Sequence, residues 1–219
     1  LRKNTVDGKK NVFKNRILPY FKDKPINEIQ AADIRAWQNK QIAAGYSNAY
    51  LDRIMNMIVT IFNYAVTFYN LPVNPCTKAG HMGKRTRSLN FWTLDEYNAI
   101  MEHVTDPAAH VAIELLFYSG MRFGELLALT LADLDYNKQT ISITKSLQRK
   151  NRQNYITAPK TDNGIRVITM PAAVMEHLED YTRKLYGLQP DDLIFTFTRS
   201  LIRNNMKRAC TASGVSCIR

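Results

Sequence analysis

Apolar residues recur at helical spacing in three stretches before residue 76. Phe13, Ile17, Tyr20 and Phe21 fall four and three positions apart, so residues 5–21 are expected as a helix, decorated by Lys9, Lys10, Lys14 and Arg16 and interrupted at Lys24-Pro25. Residues 32–44 repeat the pattern with Ile34, Trp37, Gln41 and Ile42 on one side and Gly45 as the stop. Ser47 then suits the N-cap of a long helix. Its stripe is Leu51, Ile54, Met55, Ile58, Ile61, Phe62, Ala65 and Val66, and the two prolines between Asn70 and Pro75 end it. Residues 1–76 therefore read as a helical domain. Residues 77–91, with Gly80, Gly83 and the run Lys84-Arg85-x-Arg87, read as a basic linker.

A second domain is expected over 92–219. Thr93 to Glu96 forms a capping box that opens a helix through Ile100 and Met101, and Pro107 suits the first turn of the next helix, to Tyr118. Ser119-Gly120 breaks the apolar run, and Leu126, Leu127 and Leu129 rebuild one, predicting a helix from Arg122 to about Leu131. The period then falls to two. Gln139–Thr144, Asn154–Ala158 and Ile165–Thr169 are expected strands, Lys145–Gln153 a loop, and Asn163-Gly164 a tight hairpin turn with positive φ. Helices over Pro171–Tyr186 and Arg199–Ser213 come next, with a short extended piece at Leu193–Phe197 between them. The fold class implied is mainly α with a small antiparallel sheet.

Charge adds a partner to this picture. The chain has 219 residues, 45% of them hydrophobic, and a net charge of +11. Residues 1–90 carry 15 Lys and Arg against 5 Asp and Glu, so nearly all the excess lies in the first part. An imbalance of that size suits a polyanion, most often nucleic acid. Arg53, Asn56 and Thr60 lie off the apolar stripe of the long helix and are candidate contacts, as are Lys84, Arg85 and Arg87. A flexible basic strap suits wrapping around a duplex, because each phosphate contact also releases counterions.

Other chemistries find no support. Cys76, Cys210 and Cys217 have no metal-ligand spacing, and His81, His103, His110 and His177 are scattered. That spacing gives no zinc site, and with no phosphate-cradling glycine motif no nucleotide cofactor is expected. No apolar run is long enough for a bilayer, which makes a cytoplasmic protein the expectation. The chain starts at Leu1 and stops at Arg219 just after a predicted helix, and is expected to be a fragment of a longer protein.

The densest chemistry sits at Arg122. A cation between two buried segments needs an anion, and Glu125, three residues on, lies on the same helical face. The pair reads either as structural or as a phosphate-facing arginine oriented by a carboxylate. The run Ser-Gly-Met-Arg-x-Gly-Glu-Leu-Leu-Ala-Leu from Ser119, followed by Asp133-Leu-Asp135, resembles the first catalytic-arginine motif of the tyrosine recombinases, the phage integrase family. The run from Ala158 to Pro171 is similar to the hairpin that carries that family's catalytic lysine, here Lys160.

The resemblance implies a good deal. The first part corresponds to the SAM-like core-binding domain, whose long helix lies along DNA. The second corresponds to the N-terminal part of a catalytic domain of the DNA breaking-rejoining type. Arg122 would clamp the scissile phosphate, Glu125 would support it, and Lys160 would protonate the leaving 5′-oxygen. Lys145, Arg149 and Lys150 are further candidate DNA contacts, and Arg166, in the strand after the hairpin, is another or else pairs only with an acidic neighbour. The activity implied is site-specific recombination through a 3′-phosphotyrosine, on double-stranded attachment-site DNA, by a tetramer of the parent protein in the bacterial cytoplasm and at the nucleoid. The family's later motifs, His-x-x-Arg, a second His or Trp, and the nucleophilic Tyr in its context, are absent from these residues. The chain is therefore expected to bind DNA without cutting it. The alternatives are a helical DNA-binding regulator without catalysis and a relative of the type IB topoisomerases.

Overall fold

The structure is a computed structural model and describes residues 3–84, 90–150, 153–159 and 164–218. It is mostly helical and divides into two compact units, Leu1–Leu89 and Asn90–Arg219. No helix among the described residues is long and apolar enough to cross a membrane.

In the first unit the predicted opening helix is α1, Lys3–Val12, which runs through a π-type stretch, Phe13–Ile17, into α2, Leu18–Phe21. Pro19 explains the wider turn: it has no N–H to give and its ring crowds the carbonyl four residues back. Helix α3, Ala31–Ala43, starts where the Asp33 carboxylate accepts the Gln30 N–H at 2.8 Å. Trp37 on α3 is fully buried, and its indole N–H donates to the Arg16 carbonyl at 2.9 Å. Ile42, placed on the apolar side by its spacing, is exposed, while Gln41 is buried. Helix α4, Asn48–Phe68, is capped by Ser47 as its sequence implies. It buries Leu51, Ile54, Met55, Ile58, Phe62 and Ala65.

The stretch read as a linker begins inside this unit. Asn74 caps a further helix, α5, Pro75–Ala79, and Cys76, Ala79 and Met82 join the first core. Buried Gln38 donates to the Gly80 carbonyl at 2.7 Å, which ties this segment to α3. A polar side chain of that kind is stable in a core only with its partner made.

The second unit opens with α6, Leu94–Met101, behind the expected Thr93–Glu96 capping box. Helix α7, Pro107–Ser119, begins after an Asp106 cap and stops at Gly120, whose φ is 60°. The helix expected from Arg122 to Leu131 is one turn only, α8, Phe123–Leu126. The reason is local competition. The Asp133 carboxylate accepts both the N–H and the hydroxyl of Thr130, at 2.8 and 2.9 Å, and starts a 3-10 turn, Leu131–Asp133. Thr130 also bridges Leu193 in the segment expected to be extended.

Strands β1, Leu134–Asp135, β2, Thr140–Ile143, and β5, Arg166–Thr169, form an antiparallel sheet in the order β1-β2-β5. Strands β3, Ser146–Lys150, and β4, Gln153–Thr157, form a separate antiparallel pair. This corrects two expectations. Lys145–Gln153 is mostly strand rather than loop. Strand β4 pairs with β3, with Lys150 opposite Gln153, and β4 and β5 belong to different sheets. Gly164 has no positive φ, and Asn163 lies outside the described residues. The shorter closure, β3 to β4, is the cheaper one in chain entropy, and β5 is drawn instead to β2, where Ile168 sits opposite buried Ile141. Helices α9, Ala172–Arg183, and α10, Arg199–Ser213, complete the unit. Its core includes Ile100, Leu115, Leu126, Leu129, Ile141, Leu178 and Phe195.

Two glycines give a stability test for the first unit. Gly83 has φ 77°, and a Cβ there would lie 2.4 Å from the Asn48 carbonyl oxygen and 2.4 Å from the Asp52 nitrogen. Gly45 has φ 73° but open space around it. Gly45→Ala is expected to cost about 1 kcal/mol, the left-handed backbone penalty alone. Gly83→Ala adds overpacking and is expected to cost about 3 kcal/mol. Equal denaturation midpoints for the two variants would show that Gly83 is not held against α4.

Candidate functional site

Arg122 sits at the N-cap of α8, one residue after buried Met121. On its C-terminal side, Leu126 and Leu129 anchor the chain in the core. The backbone is thus fixed on both sides, while the side chain of Arg122 is 70% exposed. What holds its head group is Glu125, whose side chain is only 2% exposed. One carboxylate oxygen, Oε1, accepts Nη1 of Arg122 at 2.8 Å. The other, Oε2, accepts the Arg122 backbone N–H at 3.0 Å and Nη2 of Arg166 at 2.9 Å. Arg166 also donates from Nη1 to the Gly164 carbonyl at 3.1 Å. Burial alone would push the Glu125 carboxyl up. The Arg166 hydrogen bond, then the Arg122 backbone and side-chain bonds, outweigh it and hold the carboxyl below its ordinary value.

Gly124 brings a second element close. A Cβ at this position would fall 2.7 Å from Ser146 Oγ and 2.9 Å from the Leu147 carbonyl oxygen. The glycine therefore lets α8 lie directly against β3. Beyond α8, Arg199 stacks its guanidinium 4.9 Å above the ring of Phe123, the residue after Arg122.

The structure brings together Arg122, Glu125 and Arg166. Lys145 has a different position from the one its charge suggests: Nζ lies 2.7 Å from Asp133 Oδ2 and 3.0 Å from Thr130 Oγ1. It neutralises a buried carboxylate that also starts the 3-10 turn, so its charge is spent within the fold. Arg149 on β3 is exposed, and Lys150 ends that strand. In the first unit Arg53, Asn56 and Thr60 are exposed on α4 and line a groove with Gly8 and Lys9 of α1. Asn56 is tethered to Asp52 at 3.1 Å, and the Thr60 hydroxyl donates back to the Asn56 carbonyl at 2.7 Å. Lys84 is exposed. Lys160, Arg85 and Arg87 lie outside the described residues.

Sequence reasoning passed over α10. Arg199, Arg203 and Lys207 recur every four residues on its exposed face, and the helix contains no Asp or Glu. That spacing was readable: a helix with cations on one face and no compensating acid suits an anionic surface. Chemically, the Arg122 centre has what an anion site needs. It offers exposed, permanently charged N–H donors on a rigid backbone, backed by a buried counter-charge.

The Glu125 carboxyl, held below its unfolded value, contributes stability that is complete above the unfolded carboxylate range and is lost as pH falls through the folded value. Glu125→Gln is expected to cost about 2 kcal/mol near neutral pH, because Arg166 then loses its anion. The variant should also lose part of the decline in stability that the parent chain shows below about pH 4. Urea unfolding across that range checks both, and superimposable pH profiles for the two proteins would remove Glu125 from the account.

Comparison with known proteins shows the family of the chain. The profile described as "Phage integrase, N-terminal SAM-like domain" matches residues 1–42, and that described as "Phage integrase family" matches residues 90–217. The chain is similar to the ICEBs1 integrase of Bacillus subtilis, 27% identical over 183 residues that cover 80% of this chain and 50% of that protein. It is similar also to the putative prophage phiRv2 integrase of Mycobacterium tuberculosis, 25% identical over 187 residues covering 85% of this chain and 49% of the relative. The chain spans about half the length of the curated relatives it matches. In fold it is similar to the Tn1549 transposon integrase solved with a circular intermediate DNA, with a TM-score of 0.81 at 19% identity over 100% of this chain and 76% of that one. The lambda integrase dimer bound to a COC′ core site aligns with a TM-score of 0.69 at 19% identity, over 99% of this chain and 59% of that one. With the second unit matched almost from end to end, and the Arg122 motif at its centre, the chain belongs to the phage integrase family.

Proposed function

We propose that this chain is the DNA-gripping and phosphate-clamping part of a site-specific DNA recombinase that cuts and rejoins DNA through a 3′-phosphotyrosine. The observation that carries the reading is the exposed Arg122 guanidinium held by the buried Glu125 carboxylate. A purely structural ion pair has no need to leave its arginine in solvent on a fixed backbone. A phosphodiester gains negative charge in the transition state, and a preorganised cation stabilises it without reorganising. Arg122 meets the non-bridging oxygens, and Glu125 aims it.

Lys160 is proposed as the general acid for the leaving 5′-oxygen. This rests on the resemblance of the run from Ala158 to Pro171. The nucleophile is proposed to be a tyrosine outside these 219 residues, since the 11 tyrosines here stand in no matching context. The phosphotyrosine link conserves the bond energy, so the chemistry calls for no ATP.

The first unit is proposed as the core-binding domain and the segment through Lys84, Arg85 and Arg87 as the strap that comes after it. The charge excess in residues 1–90 supports the grip. Arg53, Asn56, Arg149, Lys150 and the α10 cations Arg199, Arg203 and Lys207 are proposed backbone contacts. DNA enters this reading from the related proteins too, because the Tn1549 and lambda integrase structures are complexes with DNA. A lambda integrase tetramer has been solved on a Holliday junction, and a tetramer on attachment-site DNA is the proposed assembly of the parent protein. The proposed location is the bacterial cytoplasm, at the nucleoid. A non-catalytic regulator would share the charge, but would have no use for an aimed arginine.

The chain is expected to bind duplex DNA with an affinity that falls steeply with salt. On a nicked suicide substrate it should form no covalent adduct that survives a denaturing gel. In the parent protein, Arg122→Ala should slow strand cleavage by about 10²–10³-fold, the loss typical of one preorganised charge stabiliser. An adduct mapped to a tyrosine of this chain would overturn the assignment of the nucleophile. Salt-independent binding would overturn the grip.

A further inference from the structure

We infer that Arg166 is a positioning residue for Arg122, acting through Glu125, and does not itself contact DNA phosphate. The inference rests on the phosphate-clamp reading of Arg122. Among the described residues, the Arg122 side chain has one ion-pair partner, Glu125. The aim of the clamp therefore depends on where that carboxylate points and on its staying ionised. Arg166 serves both ends. Its Nη2 sits 2.9 Å from Glu125 Oε2 and fixes the carboxylate plane from the side opposite Arg122 Nη1. Its positive charge offsets the burial that would otherwise favour the neutral acid.

The backbone of Arg166 is also fixed. It pairs with Ile143 in the β2–β5 register, and Ile143 is buried. The second arm of the fork, Nη1, holds the Gly164 carbonyl at 3.1 Å. Pro159 packs on Gly164 closely enough that a Cβ there would lie 2.5 Å from the proline Cβ. One guanidinium thus joins the anchor of Arg122 to the point where residues 159 and 164 meet. Both arms of the fork already have protein acceptors, and the side chain is 30% exposed against 70% for Arg122. A planar fork can span two acceptors in this way, whereas an ammonium offers its donors from a single point.

The test is a double-mutant cycle on this chain, read by the binding of a short fluorescein-labelled duplex over a salt series. Thermal unfolding of each variant confirms folding. Arg122→Ala and Arg166→Met are each expected to weaken binding by about threefold to tenfold and to lower the salt slope by about one. The double variant should be no weaker than Arg122→Ala, with a slope again lower by about one, because both changes remove the same contact. Arg166→Lys, which keeps the charge but not the planar fork, should restore only part of the loss, and it decides the matter if the methionine variant does not fold.

Losses that multiply in the double variant, with the slope lower by about two, would mean that Arg166 touches a phosphate itself. Full rescue by lysine would mean that charge alone suffices and would overturn the positioning role of the planar fork. Unchanged binding in Arg166→Met, alongside a loss in Arg122→Ala, would overturn the positioning role and leave the clamp standing. No loss in Arg122→Ala would overturn the clamp, and this inference with it.

Discussion

Burying a carboxylate costs several kcal/mol unless hydrogen bonds and opposite charge replace its water. In the second unit that constraint falls on Glu125. The residue is held in the core by its place on α8, between Arg122 and the anchor Leu126. Three N–H groups meet its two oxygens, and they come from two distant parts of the chain. Much of the unit can be read as the means of delivering them. Gly120 ends α7 so that α8 can start in a new direction. Strand β5 pairs with β2 in the register that sets Arg166 opposite Ile143. Gly124 lets β3 close over α8. The outcome is an asymmetric ion pair, with the anion inside and one of its cations outside.

That asymmetry supports the phosphate-facing reading of Arg122 proposed above. A pair formed for stability gains little from one partner at 70% exposure, because solvent screens it. A pair formed to present a cation needs just this arrangement. The same comparison assigns Lys145 to the other class. It lies in contact with Asp133 and Thr130, and its charge is consumed by the fold. Two basic residues that looked alike as letters thus differ in what their neighbours leave of their charge.

Local signals were the most legible ones. The Ser47 and Thr93 caps and Pro107 in the first turn of α7 all stand where the sequence implies. Each depends only on residues a few positions away. Misreadings arose where a competing cap or a distant partner decided. Leu126, Leu127 and Leu129 have helical spacing, but the Thr130–Asp133 bonds and the bridge to Leu193 turn the chain after one turn. Asn163-Gly164 has turn chemistry, yet β5 pairs with β2 rather than β4. The glycines near residue 80 suggested a linker, while Cys76, Ala79 and Met82 are buried with the first core. At the site, the Arg122–Glu125 spacing was visible in the sequence. Arg166 was legible as a cation for a phosphate or an acidic neighbour, but its partner Glu125 was not, because that link crosses 41 residues.

The central claim is that Arg122 is held by Glu125 and still free to take a phosphate. Its most direct test is the side-chain nitrogen spectrum of this chain labelled at arginine, with Arg122 assigned through the Arg122→Lys variant. On titration with duplex DNA, the Arg122 guanidinium signals should shift and sharpen as its exposed donors gain phosphate partners. The Arg166 signals should move little. Arg122 signals that stay in place at saturating DNA, while other arginines respond, would contradict the account.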